Sequence, residues 1–61
     1  MKHLIGKTVT IDNFLTTDPK NKQGQKGIIQ KVEVYDEENA DFDILFDDGV
    51  VGKYQLGTFN N

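Results

Sequence analysis

Short stretches of alternating polar and apolar residues recur along the chain and predict β-strands. Over residues 7–11, Lys and Thr alternate with Val9 and Ile11, which is the pattern of a half-buried strand. A second strand is predicted over residues 27–35, and a third over residues 42–46. No stretch shows a helical period of useful length. The pattern therefore favours an all-β chain.

The sequence Asp-Asp-Gly at positions 47–49 predicts a hairpin that leads into a fourth strand over residues 50–56. A two-residue turn would place Phe46 opposite Val51. A three-residue loop, with its glycine in the left-handed region, places Phe46 opposite Val50 and gathers the apolar residues of both strands on one face. Because a slip of one residue turns a strand inside out, burial favours the three-residue loop. This register predicts the pairs Phe46–Val50, Ile44–Gly52 and Phe42–Tyr54.

A long polar loop is predicted over residues 12–26, between the first two strands. Asp18 and Pro19 form its turn signal, and a short helical turn at Pro19 with Asp18 as the cap is the one helical turn the sequence suggests. Phe14 and Leu15 are its large apolar residues. Two interpretations remain open for this pair: it covers an open end of the core, or it is exposed as a contact for a partner.

Two places depart from a regular strand pattern. Ile28 and Ile29 are adjacent and apolar, which predicts either a strand end buried on both faces or a β-bulge. Residues 57–59 are predicted to form a turn or a short final strand, and Asn60 and Asn61 to be frayed.

These elements predict one domain over residues 1–61, a small antiparallel barrel of four to five strands. Closing a sheet of this size into a barrel removes the edges that an open sheet would expose. The residues expected to be most buried are Val9, Ile11, Val32, Ile44 and Phe46.

Three segments carry a resemblance to SH3-like barrels: residues 6–11, residues 24–32, and residues 42–49, together with Tyr54 and Leu56. The middle segment looks like the Gly-x-Val-x-x-Val core of KOW modules, and the later one like the Phe-x-Asp-Gly hairpin of Tudor-like barrels. The layout is also similar to small electron-transport accessory barrels of photosystem I and to short phage and prophage proteins. The resemblance implies a fold, because these segments form turns and core.

Composition excludes several kinds of chemistry. The chain has no cysteine and one histidine, so disulfides, Cys/His zinc sites and cysteine nucleophiles are ruled out. Asp47 and Asp48 are adjacent in a hairpin turn, where water screens them, and they lack the apolar pocket that tunes a catalytic pair. The aspartates also do not match the spacing of a calcium loop. We therefore expect no enzyme activity, no cofactor and no metal.

Charge divides the chain into two halves. Residues 1–31 carry six lysines and two aspartates, a net charge of +4, whereas residues 32–61 carry one lysine and eight acidic residues, a net charge of −7. We therefore expect a protein-binding module whose acidic half contacts a basic partner. The residues predicted for this contact are Tyr35, Asp36, Glu37, Glu38, Asp47, Asp48 and Tyr54.

Two alternatives remain open. A KOW-like module could bind nucleic acid through a patch made of Phe14, Lys20, Lys22, Lys26 and Lys31. The net charge of −3 and the absence of arginine disfavour it. The second alternative is an accessory subunit of a larger complex. A methyl-lysine cage is disfavoured, because only Tyr35, Tyr54 and Phe59 are expected to reach the surface.

No apolar run is long enough to span a membrane, and the first residues do not resemble a signal peptide. The expected setting is therefore the cytoplasm, or the host cytoplasm for a phage-encoded chain. The expected state is a monomer or a weak homodimer.

Overall fold

The computed structural model describes residues 1–60 and confirms the all-β prediction. One 3₁₀ turn at Lys2–Leu4 precedes five strands. The strands are β1 (Thr8–Ile11), β2 (Lys26–Val34), β3 (Ala40–Phe46), β4 (Val51–Gln55) and β5 (Phe59–Asn60). Each of the first four overlaps a strand predicted from the sequence.

The strands form one antiparallel sheet in the order β4-β3-β2-β1-β5. Within residues 1–60 no ladder joins β4 to β5, so hydrogen bonding does not close the predicted barrel. The sheet nevertheless curls, since β5 and β3 are not neighbours in it and yet the Phe59 ring of β5 packs edge-on against Phe42 of β3. The ring centroids are 4.9 Å apart. This contact brings an edge strand over the core.

The predicted three-residue hairpin between β3 and β4 is confirmed. The Phe46 N–H donates to the Val50 carbonyl at 2.9 Å, and the Gly49 N–H donates to the Phe46 carbonyl at 3.0 Å. Gly49 has a φ of +84°, as this loop requires. The pairs Ile44–Gly52 and Phe42–Tyr54 follow.

A β-bulge lies in β2, as one of the two interpretations of the adjacent isoleucines predicts. The pairing with β3 shifts between Ile29 and Lys31. Ile29 is buried, whereas the side chain of Ile28 is 45% exposed. Burial on both faces is therefore the wrong interpretation. The bulge lets β2 keep apolar residues inward on both sides of the irregularity.

The core is formed by inward-facing residues of β1 to β4. All five residues predicted to be most buried belong to it. The full set is Val9, Ile11, Ile29, Val32, Ala40, Phe42, Ile44, Phe46 and Tyr54. Met1, Leu4, Leu15 and Phe59 pack against it from outside the main strands.

The long loop separates its two apolar residues. Leu15 is half-buried against the core, and its carbonyl accepts a hydrogen bond from Gln23 at 2.9 Å. Phe14 points into solvent and is 87% exposed. Of the two interpretations, covering of the core holds for Leu15 and exposure holds for Phe14.

The predicted helical turn at Pro19 is wrong, because the segment forms a non-helical turn held by Asp18. One carboxylate oxygen of Asp18 accepts the Lys20 N–H at 3.0 Å, and the other accepts the Lys22 N–H at 2.7 Å. Side-chain acceptors of this kind compete with helix formation. Asp18 therefore caps a turn from which no helix continues.

The last residues are more ordered than predicted. Asn60 pairs with Thr10 in the sheet, so it is not frayed, and Asn61 lies outside the described residues. Among the described residues there is no helix of the length and apolarity that crossing a membrane requires.

Candidate interaction surfaces

The outward face of the sheet is organised in rows that run across the strands. Alternation turns every second side chain outward, and the register places those of neighbouring strands side by side. The apolar row is Ile28, Leu45 and Val51; the mixed row is Lys31, Asp43 and Lys53; the third row is Glu33, Asp41 and Gln55. The third row leads into the turn between β2 and β3.

Carboxylates surround an exposed tyrosine at this end of the sheet. Glu33 lies directly opposite Asp41, and the Tyr35 hydroxyl donates to Asp41 at 2.9 Å and to Glu33 at 3.3 Å. The hydrogen bond to Asp41 is the main reason that the pKa of Tyr35 rises to about 12. Tyr35 is 59% exposed. The set called the acidic end below consists of Glu33, Tyr35, Asp36, Glu37, Glu38 and Asp41.

The turn at the acidic end is held by Asp36. Its carboxylate accepts the Glu38 N–H at 2.8 Å and the Asn39 N–H at 2.9 Å, and it also accepts the Asn39 side-chain amide. The Asn39 amide is the main reason that the pKa of Asp36 lies below its usual value. This turn leaves the side chains of Glu37 and Glu38 in solvent.

Within the described part of the chain, no lysine lies within ion-pair distance of the acidic end. Among the described residues the single ion pair joins Lys22 to Asp48, far from this turn. In the neighbouring row Asp43 lies between Lys31 and Lys53. Within residues 1–60 the carboxylates of the acidic end therefore form no ion pair.

The predicted acidic site does not form one surface. Asp47 and Asp48 lie at the opposite end of β3 from the acidic end, a separation of about 20 Å at the rise of a strand. The hydrogen bond from Lys22 is the main reason that the pKa of Asp48 lies below its usual value. Tyr35, Asp36, Glu37 and Glu38 do lie together.

Tyr54 is part of the core, so the expectation that it reaches the surface is wrong. Its side chain is 2% exposed, and its ring packs edge-on against Phe46, with 5.9 Å between centroids. Its hydroxyl donates to Asp18 in the long loop. Burial, and then this hydrogen bond, raise the pKa of Tyr54. Tyr54 therefore ties the loop to β4.

The lysines of the alternative patch are dispersed. Lys22 is 8% exposed, and its Nζ lies 5.3 Å from the centroid of the Phe46 ring while it pairs with Asp48. Lys26 and Lys31 are separated by about 16 Å along β2. The structure thus does not gather Phe14 and the four lysines into one basic surface.

Sequence reasoning did not include Glu33, Asp41 and Asp18 among the site residues. The alternation of β2 and β3 could have placed Glu33 and Asp41 outward, but their opposition depends on the register that the turn over residues 35–39 sets. For Asp18, the sequence showed only a turn signal and gave no sign of its contact with Tyr54. Within residues 1–60 there is no cluster of three or more His, Asp or Glu side chains suited to a metal ion.

Comparisons with known proteins leave the chain without an identified relative. No protein-family model matches it. No curated protein matches its sequence, and no solved structure matches its fold.

Proposed function

We propose that this protein is a non-enzymatic binding module whose acidic end contacts a basic segment of another protein. One observation carries the proposal: carboxylates without a lysine partner surround the exposed Tyr35. Tyrosine serves well at interfaces, because its ring gives contact area and its hydroxyl tolerates water.

Electrostatics supports a cationic partner. Like charges placed directly opposite in a sheet are destabilising, and Glu33 and Asp41 are placed so. A lysine or arginine beside this pair would remove the repulsion, and an arginine could bind a carboxylate through two parallel hydrogen bonds. The excess of negative charge also speeds the encounter with a basic surface.

Nucleic acid binding is the weaker candidate. Binding to a phosphate backbone needs a positively charged face, whereas Lys22 is already paired with Asp48 and the exposed surface around Tyr35 is acidic.

Assignment to the SH3-like barrels also belongs to the proposal, as does a phage or prophage accessory role. Five short antiparallel strands and the long β1–β2 loop support that assignment.

The proposal is tested by titrating the protein with a nine-residue peptide of alternating arginine and glycine at about 150 mM salt, followed by NMR. We expect shifts at the acidic end, with the largest at Tyr35. The double variant Glu33→Gln/Asp41→Asn should weaken binding at least fivefold. The control Asp43→Asn/Asp47→Asn changes the net charge equally and should weaken it less than twofold.

Equal weakening by both double variants would contradict the proposal, because it would show attraction to net charge alone. A second titration, with nucleic acid, tests the alternative function. A low-micromolar dissociation constant for mixed single-stranded and duplex nucleic acid at the same salt would favour the alternative function if it is lost when the exposed Lys20, Lys26 and Lys31 are replaced by alanine.

A further inference from the structure

Within residues 1–60, β4 is an edge strand whose outward-pointing backbone groups are mostly unpaired. The Phe46–Val50 and Ala40–Leu56 hydrogen bonds set the pairing phase with β3. In that phase the N–H and C=O groups of Val51, Lys53 and Gln55 point away from β3. Within residues 1–60 the Gln55 carbonyl alone among them is used, by Thr58. The remaining N–H and C=O groups form a row that can hydrogen-bond to another strand.

A groove of about 230 Å³ runs beside this edge. One wall is the β4 segment from Lys53 to Gln55, and the other is formed by Leu15, Thr17, Pro19 and Thr58. The tie between Tyr54 and Asp18 holds the loop that carries this second wall. An added strand would turn every second side chain inward, toward this groove.

The positive charge at the β4 edge favours an added strand that carries a carboxylate. Lys53 faces outward and lies directly opposite Asp43 of β3, but within residues 1–60 it forms no ion pair with this or any other carboxylate. The stem of Lys20 packs over Gly52 on the inner side. Pairing of two β4 strands about their centre would set Lys53 against its own copy, which is unfavourable. A carboxylate in that place is favourable.

We infer that the β4 edge binds an extended acidic segment of another protein, which adds to the sheet as a sixth strand. Main-chain hydrogen bonds to Val51, Lys53 and Gln55 supply affinity, and side chains at alternate positions supply specificity. A carboxylate of the segment lies beside Lys53, and a neighbouring small or apolar side chain enters the groove. This surface is distinct from the acidic end and independent of its partner.

The test begins with selection of binders to the full chain from a display library of random nine-residue peptides. The tightest peptide is synthesised and added to the ¹⁵N-labelled protein. We expect a sequence that carries Asp or Glu and lacks central proline. Hydrogen exchange of the Val51, Lys53 and Gln55 amides should slow at least tenfold in the complex.

Lys53→Glu should lower the affinity of the protein for this peptide at least tenfold. Lys31→Glu is the matched control, because Lys31 flanks the same Asp43 from β2, and it should change the affinity less than twofold. Both positions are exposed, and thermal melting shows whether each variant folds. Three outcomes would overturn the inference: no binder, protection of other amides, or protection that grows with protein concentration without peptide, which would identify a second copy.

Discussion

Lys22 shows how a single residue can join the two charge halves of this chain. Its Nζ pairs with Asp48, and its stem is buried beside the Phe46 ring. Nothing local distinguishes it from Lys20 or Lys26, since all three stand in one polar run. Its burial depends on a contact across 26 positions of sequence, which alternation does not report.

Replacement of Lys22 should separate the contribution of the stem from that of the charge. Lys22→Ala should lower the free energy of unfolding by about 1–2 kcal/mol, because buried methylenes are lost and regained side-chain entropy offsets part of that loss. Lys22→Met keeps a long apolar stem and should lose less than half as much. Urea unfolding measures both. Equal losses would show that the charge, and not the stem, stabilises the loop.

At the scale of elements, the strands were predictable and the loop was not. Alternation located β1 to β3, and the Asp-Asp-Gly sequence with burial located β4 and the hairpin register. Both signals are local. The long loop folds through distant contacts, of Leu15 with the core and of Asp18 with Tyr54. The acidic end was located in part, because its polar turn is visible in the sequence, whereas the pairing of Glu33 with Asp41 depends on the exact register of that turn.

The β3–β4 hairpin gives a test of backbone conformation alone. Gly49 has positive φ, and a Cβ built there meets no atom within 4 Å. Gly49→Ala should therefore cost about 1 kcal/mol of unfolding free energy through the left-handed backbone, without a steric clash. Gly49→Asn should cost less, because asparagine tolerates this region. Calorimetry measures both, and an alanine variant that melts with the wild type would contradict the hairpin geometry.

At the scale of the molecule, carboxylates help to hold separate parts together. Asp18 connects the long loop to β4, and Asp48 connects the β3–β4 hairpin to Lys22. The pKa of Asp18 is lowered: burial acts to raise it, but hydrogen bonds from Tyr54 and the backbone outweigh burial. Because these bonds need the ionised carboxylate, the fold depends on pH.

Acid should weaken the fold through Asp18. A carboxyl with a lowered pKa in the folded state contributes stability above its unfolded pKa of about 4, and this contribution is lost as the pH falls toward the folded value. The urea midpoint should therefore fall as the pH drops below about 4. Asp18→Asn should flatten that dependence, and Tyr54→Phe should flatten it in part by removing the hydroxyl donor. An unchanged slope in Asp18→Asn would contradict this assignment.

The interior position of β1 has a consequence for a cut chain. β1 lies between β2 and β5, although a long loop with an exposed residue at Phe14 joins it to β2. Cleavage after Phe14 would give a short piece carrying Val9 and Ile11, and a long piece whose sheet lacks one inner strand. The short piece has a net charge of +1 and the long piece one of −4. The short piece thus supplies the strand that the sheet of the long piece lacks, and the two pieces have opposite net charges. These are useful properties for the two fragments of a split reporter protein.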